Sequence, residues 1–180
     1  MIGYRATGKS HVGRLVAEAR RVPFIDTDRM VEAAIGTSIS RYFADRGESA
    51  FRDREEEALR AFLHSEEARS GAVVATGGGI ILNPRNVGAI RSAGVAVWLT
   101  ASVETIRDRL KADPASDGSR PALTMRSVVE EVASVLAARE PLYRDAADVE
   151  ISTDGRAPED VAAAVVEWLD RVGSRVSAGR

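Results

Sequence analysis

Gly3-Tyr4-Arg5-Ala6-Thr7-Gly8-Lys9-Ser10 fits the pattern G-x-x-x-x-G-K-[ST] of a loop that cradles phosphate. Its glycines carry no Cβ, so backbone N–H groups can converge on phosphate oxygens. Lysine occurs only at positions 9 and 111, which makes the match hard to obtain by accident. A glycine-rich turn in front of an ordinary helix is the competing reading. Against it, His11-Val12-Gly13-Arg14-Leu15-Val16-Ala17-Glu18-Ala19 has helical periodicity immediately after the loop, and such a helix aims its positive N-terminal end at the bound anion.

Two further sets of residues have types suited to chemistry. Asp26 and Asp28 end the apolar run Val22-Pro23-Phe24-Ile25. Residues two apart in an extended chain face one side, so both carboxylates are expected to point together at a metal or a substrate hydroxyl. Asp28 as a simple cap on a helix over 29–35 is the other reading; beside a phosphate loop, the preference of magnesium for oxygen ligands favours the first. Gly77-Gly78-Gly79 ends the apolar run 72–76. Three glycines cost conformational entropy, which close approach of backbone to a ligand would justify; a plain flexible turn stays open.

These residues need a scaffold that brings them to one edge. Apolar runs at 22–25, 72–76, 95–99 and 149–151 alternate with helical stretches. The pattern predicts an α/β fold, a three-layer parallel sheet with helices on both faces and ligands at the carboxyl ends of the strands. Only Met1 and Ile2 precede Gly3, so the central strand that should deliver the loop is expected to be cut short. Helices over 29–35, 39–46 (ended by Gly47) and 48 to about 68 exceed what a crossover requires. Residues 30–68 therefore read as a substrate-binding subdomain above the loop. Within it, Phe51, Ala58, Leu59, Phe62 and Leu63 form the buried stripe, while Arg52, Arg54 and Glu55-Glu56-Glu57 are assigned to solvated faces. Asn83 and Ser102 are expected to cap helices ending at 93 and 111. The polar stretch 112–124 reads as a lid, 128–138 as a helix and 158–172 as a terminal helix. A single domain over 1–172 with a flexible tail over 173–180 results.

The chain has 180 residues, 44% of them hydrophobic, a net charge of −2, no cysteine and two histidines. That excludes disulfides and thiolate metal sites, disfavours a histidine zinc site, and argues against a nucleic-acid surface. No membrane span is evident, and a cytoplasmic location is expected. Small-molecule partners and a monomer complete the expectation.

Taken together, GYRATGKS, PFIDTD, GESAFRDRE, ATGGG, an RP within the lid and REPLYRDAAD, in this order from Gly3 to about Val161, resemble the shikimate kinase family, a nucleoside-monophosphate-kinase-like branch of the P-loop proteins. The resemblance implies ATP-dependent phosphorylation of the 3-hydroxyl of shikimate, giving shikimate 3-phosphate and ADP on the route to chorismate and aromatic amino acids. It implies that Gly3, Arg5, Ala6, Thr7, Gly8, Lys9, Ser10 and His11 surround the nucleotide phosphates. Lys9 would neutralise the β and γ phosphates, Ser10 would hold Mg2+, and Asp26 would act on the metal through water. Asp28 would hydrogen-bond the accepting hydroxyl and is the candidate for its proton. Arg52 and Arg139 would grip the shikimate carboxylate, with the backbone of Gly78 and Gly79 against the ring hydroxyls. Arg120 would close over the transferring group, and Arg109, Arg156 and Pro158 would line the adenine. His11 stands where the family often has a small hydroxyl residue and reads equally as a neutral surface residue. Arg52 and Arg139, taken alone, read equally as surface salt-bridge partners. Two other functions stay open: a kinase of another small hydroxylated acid such as gluconate, or of a nucleoside monophosphate; and a non-catalytic binding domain that kept the fold.

Overall fold

The structure, a computed structural model, describes residues 1–112 and 125–178. The lid expected at 112–124, with Arg120, thus lies outside the described residues except for Ala112. Short parallel strands form the sheet: β1 (Phe24–Asp26), β2 (Val73–Ala75), β3 (Val97–Thr100) and β4 (Val149–Ser152). Ile25 pairs opposite Val74, and Leu99 opposite Ile151. Met1 and Ile2 join the two pairs. The Thr76 N–H donates to the Met1 carbonyl at 3.1 Å, the Ile2 N–H to Val97 at 2.8 Å, and the Leu99 N–H to Ile2 at 3.0 Å. The spatial order is therefore β1, β2, Met1–Ile2, β3, β4. The short central strand amounts to one parallel bridge, Ile2 opposite Trp98, and it suffices to set Gly3 at the carboxyl edge.

The strand period of two sends alternate residues into different cores. From β3, Val97 and Leu99 pack with Val12 and Val16 of α1 (Lys9–Arg20) and Val161 and Val165 of α8 (Pro158–Ala178). Ala96 and Trp98 face the other way. There they meet Leu59 of α3 (Ile39–Leu63), Ile106 and Leu110 of α6 (Val103–Ala112), and Val132 and Tyr143 of α7 (Met125–Ala146). Helices thus cover both faces, the three-layer arrangement expected. A third cluster, Val31, Ile39, Phe51 and Ala58, ties α2 (Thr27–Ile35) to α3 and makes the helical subdomain a packed unit of its own.

Several boundaries differ from the sequence reading, each for a local reason. Helix α2 begins at Thr27, because the Asp26 side chain accepts the Asp28 N–H and caps it; Asp26 is the cap, and Asp28 sits in the first turn. The extended geometry expected to align the two carboxylates does not exist. Helix α3 runs past Gly47, which kinks it (φ 80°, ψ 174°), and ends at Leu63. The Ser65 hydroxyl then accepts the Ala68 N–H at 3.2 Å and starts a separate short helix, α4 (Glu66–Ser70). Asn83 caps α5 (Pro84–Ala93), and Ser102 caps α6 by accepting the Thr105 N–H, as anticipated. Helix α7 continues through Pro141 to Ala146. Val132, Tyr143 and Ala146, all buried on one stripe, hold it where the proline removes a single hydrogen bond. Helix α8 passes Gly173 and reaches Ala178, against the tail expected from 173. One interior glycine costs only about 1 kcal/mol, too little to end a helix. No helix among the described residues is long and apolar enough to cross a membrane.

Candidate active site

The phosphate loop is a left-handed turn anchored on one carbonyl. Ala6 (φ 59°) and Gly8 (φ 87°) both lie in the left-handed region, which turns neighbouring N–H groups toward one concavity. Glycine adopts that conformation freely; Ala6 holds it at a cost of about 1 kcal/mol or more, strain of the kind found where backbone must meet a ligand. The Tyr4 carbonyl accepts both the Thr7 hydroxyl at 2.8 Å and the Lys9 ammonium at 2.7 Å. Lys9 is only 8% exposed. Burial pulls its pKa down to about 8, while Asp28 and Asp26 hold it up, so the ammonium is mostly charged at neutral pH. His11 is exposed on α1.

Asp26 uses both carboxylate oxygens. One accepts the Ser10 hydroxyl at 2.7 Å and the other the Asp28 N–H at 3.1 Å. Ser10 and Asp26 thereby place hard oxygen donors together at the mouth of the loop. Among the described residues no group of three or more His, Cys, Asp or Glu could hold a metal. A serine and one carboxylate cannot build an all-protein cage, and this suits magnesium, which keeps several of its waters.

Beside the loop lies a small cavity that opens to solvent. Asp28, Arg52, Arg139, Gly78 and Gly79 all line it, although their positions span 28 to 139. Burial pushes the Asp28 carboxyl up to about 6, Asp26 adds to the shift, and Lys9 and Arg52 oppose it. The Arg139 Nη1 donates to the Gly78 carbonyl at 3.2 Å, and the Tyr143 hydroxyl donates to the same oxygen. Tyr143 is fully buried and stacks on Trp98 with ring centres 5.7 Å apart, which ties the glycine turn to the middle of the sheet.

The protein's own atoms already crowd the glycine triplet. A Cβ at Gly77 would stand 2.5 Å from an Asp28 oxygen and 2.9 Å from a Glu55 oxygen. At Gly79 it would overlap the Arg52 guanidinium, and at Gly78 it would press to 3.3 Å from the Arg5 nitrogen. Without side chains at these three positions, two carboxylates, a guanidinium and the phosphate loop share one small space.

Glu55 was missed. It was assigned to a solvated face, yet it is 1% exposed and accepts Arg52 Nη1 at 2.7 Å, with Glu48 on Arg52 Nη2 at 3.0 Å. The signal was there: Glu55 stands four residues after Phe51 and three before Ala58, on the buried stripe, and three residues from an arginine. Burial alone would lower the Arg52 pKa, but the two glutamates outweigh it and raise it, so the fork is permanently charged. Glu56 also leaves the solvated group, accepting Asn83 Nδ2 at 2.6 Å, whereas Glu57 pairs with Arg54 at the surface. Phe43 and Phe51, ring centres 4.6 Å apart, give the cavity an apolar flank.

Two expected nucleotide contacts are placed differently from each other. Arg109 reaches from α6 to the Ala6 carbonyl at 3.1 Å and to the Thr153 hydroxyl and carbonyl at 3.0 Å each, bracing the phosphate loop against the turn after β4. Arg156 is exposed and donates to Ser152 and Asp160 around the start of α8, where Pro158 is the first residue. Arg5, grouped with the phosphate contacts by sequence, lines the same cavity as Asp28 and Arg52.

The model of the shikimate kinase family matches residues 5–170. The shikimate kinase of Symbiobacterium thermophilum is 39% identical over 175 residues, 97% of each chain. That of Nitratidesulfovibrio vulgaris is 46% identical over 147 residues, 82% of this chain and 81% of its own. Among solved structures, a shikimate kinase from Acinetobacter baumannii in complex with shikimate superposes with a TM-score of 0.82 at 30% identity, covering 93% of this chain and 89% of that one.

Proposed function

The chain belongs to the shikimate kinase family, and from that premise we infer that it transfers the γ-phosphoryl group of ATP to the 3-hydroxyl of shikimate, releasing ADP and shikimate 3-phosphate toward chorismate and aromatic amino acids. The observation that carries the reading is the shared cavity: Arg52 and Arg139 line the same space as Asp28, next to the loop that holds Lys9. Opposite surfaces for the two guanidiniums would have left no acceptor site.

In the reaction, the planar forks of Arg52 and Arg139 take the carboxylate, a match in shape and charge that also orients the ring. The 3-hydroxyl then lies against Asp28, its oxygen attacks the γ-phosphorus, and the bond from that phosphorus to the β,γ-bridging oxygen breaks. The hydroxyl proton passes to Asp28, whose elevated affinity for protons suits that task. Lys9 and the inward N–H groups of the loop offset charge on the phosphate oxygens, which is the main source of catalysis when no covalent intermediate forms. Ser10 and Asp26 are the residues that would hold Mg2+, Asp26 through water; the ion would supply further charge neutralisation on the phosphates. Arg120 is assigned to the transferring group by resemblance. A monomer in the cytoplasm, acting on small molecules, completes the proposal.

Gluconate and nucleoside monophosphates remain the competing acceptors to test. A coupled ADP-release assay over shikimate, gluconate, AMP and CMP is expected to show saturable turnover with shikimate and background with the others. Comparable rates on gluconate or AMP would overturn the substrate assignment, and no turnover on any acceptor would favour a binding domain.

A further inference from the structure

By sequence Arg5 belongs to the phosphate loop, yet it lines the acceptor cavity together with Asp28, Arg52, Arg139 and Glu55. Its position differs in kind from the other two guanidiniums. Arg52 packs on Gly79 and is engaged by Glu55 and Glu48. Arg139 comes from α7 and donates to the Gly78 carbonyl. Arg5 instead rides on the loop itself. It neighbours Tyr4, whose carbonyl accepts the Lys9 ammonium at 2.7 Å, and its guanidinium carbon stands 5.7 Å from the Tyr4 ring centre. It therefore marks the side of the cavity shared with the transferring phosphate.

The charge requirement of the reaction gives that position a use. Arg5, Arg52 and Arg139 line this space together with Asp28 and Glu55. Shikimate brings one negative charge, which Arg52 and Arg139 can meet. Transfer adds a phosphate monoester of about −1.5 to −2 charge, more than the single Lys9 ammonium offsets. A planar fork on the loop side matches phosphate geometry and supplies the missing compensation.

We propose that Arg5 binds the phosphoryl group from the acceptor side as it arrives on shikimate, and so sets the enzyme's affinity for shikimate 3-phosphate. The proposal rests on the shikimate reading above and assigns Arg5 to the product, not to the nucleotide. Titration calorimetry of the full chain with shikimate, shikimate 3-phosphate and Mg-ATP, each alone, tests it. Arg5→Met is expected to weaken shikimate 3-phosphate about tenfold, the worth of one charge-assisted hydrogen bond, with shikimate changed less than about threefold and Mg-ATP less than about twofold. Arg5→Lys keeps the charge and is expected to recover part of the loss. Should Arg5→Met fail to fold, Arg5→Gln carries the same expectation. Unchanged product affinity overturns the proposal. So does an equal loss for both acids, which would place Arg5 on the carboxylate, and so does a loss confined to Mg-ATP. Turnover of shikimate by the unaltered chain, measured alongside, keeps a failure of this assignment separate from a failure of the substrate reading.

Discussion

Replacing Asp28 by asparagine should make the protein more stable and nearly inactive at once. Burial and the neighbouring Asp26 raise the Asp28 pKa from its ordinary 3.8 to about 6, despite the opposing pull of Lys9 and Arg52. A carboxyl with higher proton affinity in the folded state is stabilised there only while protonated. Its ionised form therefore costs folding free energy, none below about pH 4 and the full amount above about pH 7. Two pKa units correspond to about 3 kcal/mol. Because the cavity opens to solvent beside a half-buried Asp28, the cost falls to about 1–2 kcal/mol after screening. Asparagine keeps the shape and removes the charge, so Asp28→Asn should raise the melting temperature by about 3–6 °C at pH 8. At pH 4 the difference should vanish. Turnover should fall about 10²- to 10⁴-fold, the usual worth of a positioned base, while ATP still binds. Thermal unfolding of both proteins across pH 4 to 8, with the coupled assay at pH 8, measures both arms. A melting difference that does not depend on pH, or a variant less stable at pH 8, would refute the claim that Asp28 sits ionised at an energetic cost. Full turnover would remove it from the chemistry.

Two further outcomes follow from the same electrostatics and packing. The pH profile of kcat/KM should be bell-shaped, with an acid limb near 6 from Asp28 and an alkaline limb near 8 from loss of the Lys9 charge; activity flat from pH 5 to 9 would contradict both shifts. Gly79→Ala should leave the protein folded, since Gly79 has an ordinary φ of −108°, yet drive its new methyl into the Arg52 guanidinium. Held by Glu55 and Glu48, that fork cannot swing aside without breaking a buried ion pair, so KM for shikimate should rise at least about tenfold while KM for ATP is unaltered. An unaltered shikimate KM would show that the fork has another place to go.

The features legible in the sequence are those set by interactions between residues close in the chain. The loop from Gly3 to Ser10, the caps at Asn83 and Ser102, and the apolar strand through Leu99 are each decided within a few residues. The carboxylate pair failed on a single competing bond. Asp26 satisfies a helix end, so the chain turns at Thr27, and no extended segment is left to align it with Asp28. The two still come close enough for Asp26 to raise the Asp28 pKa, because Thr27 is fully buried and accepts the Gly77 N–H at 3.0 Å, which pins the start of α2 against the glycine turn. That contact is fifty residues long-range and has no local signature.

Glu55 failed for a different reason, and the reason is correctable. Residue type was allowed to outrank position: a run of three glutamates suggests water, but the spacing of Phe51, Glu55, Ala58, Leu59 and Phe62 is that of one buried helical face. A carboxylate on such a face must be paired or neutral. The arginine three residues earlier answers the requirement, and the pair forms at 2.7 Å. Arg52 and Glu55 therefore require each other, each neutralising the charge that the other brings to the buried face. A charged residue found on an apolar stripe, with its opposite one helical turn away, points to the position of a preorganised binding group before any fold is known.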